Sequence, residues 1–427
     1  MMIDNDLLSY KLEKLQTELE KSSLFEGYQI YLENNHKIRV GFDQDYFADL
    51  YDPIKHSQIM RVEIRLKLTD QRQAKLEFGY LPDITELENR AKQLAYTSKT
   101  PIVFASSKLE KYVKLFDKSQ LEAWGQDFAT RIEEVARISS LTKSFSQTNY
   151  GLRQVDFSSY RLVNSDGVDW HDRYSHESIL VDLDSRVGFS QRSLRPIDIS
   201  STIKRLEYYG RLSQGYQAKS LYHQDSAVKN SRVVLLPGCW EELLDQLLLA
   251  NLIGTSIEAG QSRFGFEDFG KKLVAHPGFD LKIDQLVDYD YRSYNFGSGG
   301  ITGKKLDLVK DGRLVTPILD LKLSQKYHYP ATHLESLGDC LPSSLIKWQE
   351  LLSSKESILI IPSLLGIHTA QAITGDYSLP APHAILFDGQ KYRPVENLIL
   401  NSNTFSDLMN PSTNFCQLPT GEVGLSL

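Results

Sequence analysis

The sequence predicts an α+β fold, and three features of it carry that prediction. Short apolar/polar alternations are separated by turn residues, and the helical patterns among them are amphipathic and capped. A single long, almost wholly apolar helix pattern at 240–254 then gives way to brief strand-like segments up to the end of the chain. Twenty-two tyrosines and 18 phenylalanines among 427 residues reinforce the β content. A chain of this length exceeds one ordinary core, so two or three domains are expected.

Taken in order, residues 6–21 place Leu8, Leu12, Leu15 and Leu19 at helical spacing, a face that must dock on something. "YQIYLENNHKIRVGF" alternates around Asn34-Asn35, which reads as a hairpin turn. "RVEIRLKL" sets Val62, Ile64, Leu66 and Leu68 on one face, and "QAKLEF" returns with Ala74, Leu76 and Phe78. "PDITELENRAKQLA" opens a helix with Asp83 as N-cap and Glu86 as its capping-box partner, and Ile84, Leu87, Ala91 and Leu94 form the buried stripe. A second helix over about 118–138 is expected to bury Leu121, Trp124, Phe128, Ile132 and Val135, and "RLVNSDGVDW" reads as a hairpin at Ser165-Asp166-Gly167. These patterns divide the chain into an N-terminal α+β domain (1–195), a polar linker or flap (196–230) and a C-terminal β-rich domain (231–427), with "KDGR" and "FDGQ" as turns in the last.

Composition narrows the function. The net charge of −7, with Lys and Arg scattered, lacks the electrostatic footprint of a phosphate-binding face, so nucleic acid is not an expected partner. Cys239, Cys340 and Cys416 are widely spaced and odd in number, which fits a reducing cytoplasm. "MMIDNDLL" carries acids where a secretory signal has Lys or Arg, and the apolar run "ILIIPSLLGI" is broken by Pro362, so neither export nor a membrane span is expected.

Motifs of chemistry dissolve on inspection. Asp376, Ser378 and His383 lie within eight positions, but "TGDYS" has neither a nucleophile-elbow frame nor a helix after it, so it reads as a turn into a strand with Gly375 and Asp376 at the corner. "FGSGGITGKK" (296–305) resembles a phosphate loop, yet has Ser298 and Lys305 where that motif needs Gly and Ser or Thr, and a hairpin pattern follows it. His171 and His176, five apart on a strand, point to opposite faces. The helix "WEELLDQLLLANLIGTSIEAG" interrupts its apolar run only at Asp245, Gln246 and Asn251, which offers no acid–base pair or metal set.

Four segments in order resemble the TldD/PmbA family, whose metal-bearing members are zinc-dependent peptidases that act with a PmbA-type (TldE) subunit. "YRLVNSDGVD" (160–169) resembles the family's LxNSxG hairpin, and "SRFGFEDFGKKLVAHPGFDLKID" (262–284) resembles its R-S-F and V-A-S-P segment. "GKKLDLVKDGRLV" (303–315) resembles its strand and turn, and "TGDYS…ILFDGQKYRPVENLIL" its closing segment. The resemblance implies an N-terminal α+β domain and a C-terminal β-rich, barrel-like domain.

TldD-type members carry HExxxH on the helix equivalent to 240–254, with two His for zinc and Glu as base. Here those positions fall at Gln246, Leu247, Leu248, Leu249, Ala250 and Asn251, and no His lies between 224 and 275. Cys416 sits where such members have a further ligand, and alone it reads as a packed thiol. Acids common in the Gly-rich loop are replaced by "GSGG", and "PAPH" follows "TGDYS" where the family is richer in Gly.

The resemblance thus implies a diverged, PmbA-like, metal-free and cofactor-free subunit, without catalytic residues of its own and inactive alone. Paired with a TldD-type zinc subunit, it would help enclose unfolded or extended peptides for proteolysis or leader-peptide removal. Thr374, Gly375, Asp376, Tyr377 and Ser378, together with Gly297, Ser298, Gly299 and Gly300, are the expected peptide-facing or interface positions. The alternatives are a stand-alone binding or scaffold protein that pairs with itself, and an enzyme using a different site.

Overall fold

The computed structural model describes residues 5–43, 54–98, 101–105, 109, 111–146, 149–353 and 357–427. Its N-terminal half is built on one long antiparallel sheet. Helix α1 (Asn5–Lys21) precedes strands β1 (Phe25–Asp43), β2 (Ile54–Leu68) and β3 (Gln73–Phe78). Helices α2 (Ile84–Leu94), α3 (Lys118–Gly125) and α4 (Phe128–Thr142) lead to β4 (Asn149–Asn164), β5 (Asp169–Leu183) and β6 (Val187–Ser193). The strand order is β3-β2-β1-β4-β5-β6.

Period-two alternation gives this sheet two different faces. On one face Ile30, Leu32, Val62, Ile64 and Leu66 pack under Leu12, Leu15 and Leu19 of α1 and Leu87 and Ala91 of α2. Further along the same face, Ile38, Val40, Val155, Ile179 and Val181 pack under Trp124, Val135 and Ile138 of α3 and α4. The other face carries Tyr31, Glu33, Tyr160, Asp172 and Tyr174, and register places Glu33, Tyr160 and Asp172 in one row across three strands.

Several expectations are corrected here. Asn34-Asn35 is no turn: β1 runs straight through it, with Asn34 opposite Met60 on one side and Ser159 on the other. Asparagine tolerates a turn but does not compel one, and pairing on both edges decides otherwise. The expected helix over 118–138 is two helices broken at Gln126-Asp127, and Ile132 is exposed while Ile138 is buried, because the break resets the helical phase. Asp83 caps α2 through the backbone N–H of Glu86, but Leu94 at the helix end is exposed. Residues 199–215, placed in a linker or flap, form helix α5 (Ile199–Gly215) with Leu206, Tyr209 and Leu212 buried at helical spacing. The hairpin at 165–167 and the docked α1 stand as expected.

The remaining sheets draw only on residues from 221 onward. An eight-stranded mixed sheet is ordered Ile346–Lys347, Asn414–Gln417, Val423–Ser426, Arg232–Leu235, Ile358–Ile361, Ile385–Phe387, Tyr392–Glu396, Leu221–Tyr222. Among the described residues no pairing closes it into a barrel, so the barrel-like domain is an open curl of strands over a core. That core surrounds the expected long helix, which is segmented: Cys239–Leu244 is α-helical, Asp245–Leu249 is a π-helical turn, and Ala250–Leu252 and Gly254–Glu258 follow. Turn chemistry is as expected at "KDGR", where Asp311 and Gly312 both have positive φ. A Cβ on Gly312 would meet the Ala275 carbonyl oxygen at 2.2 Å. No described helix is long and apolar enough to cross a membrane.

Candidate functional site

The π-helical turn covers four of the six positions, 246–249, that the family resemblance equates with HExxxH. Inserting one residue per turn rotates the side chains that follow, so Leu247, Leu248 and Leu249 all enter the apolar core. Asn251 is fully buried and fully engaged. Its Nδ2 donates to the carbonyls of Leu247 (2.8 Å) and Ala372 (2.7 Å), while its Oδ1 accepts from the Arg263 backbone N–H at 2.6 Å. An amide with every polar valence spent on backbone has nothing left for a metal, and a leucine in the core cannot act as a base. The residues present do not fit a zinc ion. Among the described residues no group of three or more His, Cys, Asp or Glu has metal-holding geometry.

Of the six, Gln246 is the polar residue that faces open space, with Leu249 and Ala250 beside it. It lines a concavity of about 480 Å³ with Glu241, Asp245, Glu335 and His368. Burial pushes the carboxyls of Glu241 and Asp245 above their ordinary range, and Asp245 accepts from the Leu337 backbone N–H at 2.6 Å.

The "TGDYS" segment is a turn into a strand. Gly375 has φ +83, a Cβ there would strike the Phe405 ring, and Asp376–Pro380 pairs with Ile399–Asn403. Arg263 of "SRF" donates to the carbonyls of Ile373 and Thr374 and lies over the Phe405 ring, while Asn403 holds Asp376 and Thr374. Ser378 bonds Asn401, and Tyr377 is buried with its hydroxyl donating to Asp407. The His383 carbonyl accepts from Tyr216, and its ring packs edge-on to the same tyrosine. Asp376, Ser378 and His383 therefore keep separate partners and form no triad.

The "GSGG" loop behaves differently. Ser298 accepts from Gln29 Nε2 at 3.1 Å, and Gly300, at φ +77, packs on Ala105, so the loop seats on the polar face of the long sheet. Gly297, Ser298 and Gly299 line a concavity of about 640 Å³ with Arg65 and His333. Gly297 and His333 are shared with a neighbouring cavity of about 320 Å³, walled by Tyr31, Tyr160, Tyr174, Tyr291 and Tyr294. That cavity shares Glu335 with the concavity at Gln246, and Tyr160 and Asp172 with a cleft of about 960 Å³ beside α1. Sequence reasoning missed this tyrosine cavity. The alternation of Tyr31 and Glu33, and of Asp172 and Tyr174, was visible, but nothing in the sequence says which face of a strand a distant loop will roof.

Cys416 is fully buried beside Gly424 in the core that also holds Val234, Ile358 and Ile385, and burial pushes its thiol up to about 12.

Residues 229–415 match the family of the PmbA/TldA metallopeptidase C-terminal domain. This stretch is a TldD/PmbA C-terminal domain. The TldD/PmbA fold also extends over the whole chain. TldE from Thermococcus kodakarensis superposes with a TM-score of 0.75 at 14% identity, covering 98% of each chain. A candidate modulator of a DNA gyrase from Thermotoga maritima gives 0.75 at 12% identity, again over 98% of each chain. A similar protein from Bacteroides thetaiotaomicron gives 0.73 at 14% identity, over 100% of this chain and 98% of that one. In sequence, an uncharacterized protein of Methanocaldococcus jannaschii is 22% identical over 259 residues, a match spanning 57% of this chain and 59% of that relative. Of the positions from Gln246 to Asn251, Leu247, Leu248 and Leu249 belong to the core and Asn251 supports the 372–374 loop.

Proposed function

We propose that this chain is a metal-free, TldE-type subunit that pairs with a zinc-bearing TldD-type subunit in the cytoplasm and helps enclose unfolded or extended peptides for proteolysis or leader removal. The observation that carries this reading is the state of the 246–251 positions: Leu247 is in the core and Asn251 is bonded to three backbone groups, so these residues supply structure where a zinc peptidase needs ligands and a base. The adjoining cavities from α1 to Gln246 support a role in holding an extended chain. On the same reading the "GSGG" loop faces the peptide and the "TGDYS" turn faces the partner, and the chain divides into 1–195, a connecting stretch to 230, and 231–427.

The test is zinc content and cleavage of an unfolded peptide by the purified chain, alone and mixed with a TldD-type partner. Metal and activity only in the mixture are expected. Stoichiometric zinc and cleavage by the chain alone would overturn the reading. A stable self-paired form that ignores the TldD-type partner would favour the stand-alone binding protein instead.

A further inference from the structure

The tyrosine cavity has features that none of the foregoing uses. Its floor is the row Glu33–Tyr160–Asp172 on the face of the long sheet opposite α1–α4, flanked by Tyr31 and Tyr174. Its roof comes from residues 291–297 and 333–339 of the C-terminal half. The rings form a continuous wall: Tyr31 stacks near Tyr160 at 6.3 Å, Tyr160 lies 6.4 Å from Tyr174, and Phe296 meets Tyr160 edge-on.

Two sets of polar groups there are left open. Among the described residues, the hydroxyls of Tyr31, Tyr160, Tyr174 and Tyr291 make no hydrogen bond, although burial raises all four above the ordinary tyrosine range. Tyr294 buries its hydroxyl without a hydrogen-bond partner, the backbone N–H of His333 acting on it from outside ordinary geometry. Glu33 and Asp339 likewise make no hydrogen bond or ion pair among the described residues. Arg61 acts on the first from a distance, and Arg192 and Arg292 on the second; Arg292 is already paired to Asp290, and both arginines lie over the Tyr291 ring, which leaves the rings of Tyr31, Tyr160 and Tyr174 for a further cation. Asp172, by contrast, is held by Tyr112 and Asn295.

Half-buried carboxylates without partners are costly, and aromatic faces beside them attract cations. We infer that this cavity binds a cationic group, a guanidinium or ammonium, between the tyrosine faces, with Glu33 and Asp339 as its counter-charges. A guanidinium fits best, since its planar edge can take several carboxylate and hydroxyl acceptors while its face lies on a ring. That the cation is a side chain of the enclosed peptide rests on the function proposed above; the preference for a cation does not.

The test titrates the full chain with N-acetyl-arginine amide and with its uncharged isostere N-acetyl-citrulline amide, reading the heat of binding and tyrosine fluorescence. The arginine compound is expected to bind about tenfold more tightly. Glu33→Gln and Asp339→Asn, isosteric changes that keep the fold, should bring that ratio towards one. Equal binding of the two compounds by the wild-type chain overturns the inference, as does a preference that survives both substitutions. A short unstructured peptide carrying one arginine, or citrulline in its place, separates the two readings. If neither peptide binds while the amide keeps its preference, peptide holding fails and the cation site stands. If both peptides bind equally, the cation site fails and peptide holding stands.

Discussion

Glu241 and Asp245 line the concavity at Gln246, near enough to Asp339 of the tyrosine cavity for their charges to repel, and burial is the first cause that raises all three carboxyls. A carboxyl raised in the folded state contributes stability that is complete below its unfolded value, about 4, and is lost as pH rises through the folded value. At neutral pH each is therefore a cost to the fold. Glu241→Gln should raise the melting temperature at pH 7, and the gain should vanish as the pH is lowered towards 4. A melting point that falls at pH 7 would show that Glu241 has a stabilising partner. The three buried thiols follow the same logic: raised by burial, they should resist alkylation in the native protein at pH 8 and react only with unfolding. Rapid labelling of Cys416 without loss of structure would show it to be an accessible thiol.

Between α3, α4 and the sheet lies a buried ionic cluster. Arg153 meets Glu177 at 2.7 Å and also pairs with Glu134, while Glu177 accepts from Gln120, Trp124 and the Ile197 backbone N–H. One carboxylate on β5 thus holds α3 and the approach to α5, and through Arg153 it is linked to Glu134 of α4. Glu177→Leu would take one of the two carboxylates from Arg153 and the acceptor from Gln120 and Trp124, and should cost about 3–5 kcal/mol in chemical denaturation. At the segmented helix, Asn251→Leu removes the bonds to Ala372 and Arg263. Amide exchange across 372–376 should then rise well before global unfolding does. Elements were unevenly legible in the sequence. The stripes of α1 and α2 and the turns at Gly167 and Gly312 follow from local spacing and backbone needs. The straight run of β1 through Asn34-Asn35 could not be read locally, because only its neighbours β2 and β4 hold those residues extended.

One of the molecule's hydrophobic clusters spans the boundary near residues 195–231. Ile38, Val155 and Val181 of the long sheet share a cluster with Tyr209 and Leu212 of α5 and with Val234, Ile358 and Ile385 of the C-terminal sheet. Thermal unfolding should accordingly be a single transition, and residues 1–195 expressed alone should be unstable; two separate transitions would show independent halves. At this scale the net charge of −7 also predicts no specific, salt-sensitive binding to duplex DNA.

The sequence by itself determined the α+β class, the turn chemistry, most amphipathic stripes and the absence of histidine between 224 and 275, since each follows from residue type and short-range period. Only the tertiary structure decided that Asn251 props a distant turn, that residues 199–215 pack as a helix in the shared core, and that tyrosines from three strands meet under a C-terminal roof. Those outcomes depend on which remote surfaces come together, and a local pattern holds no record of that.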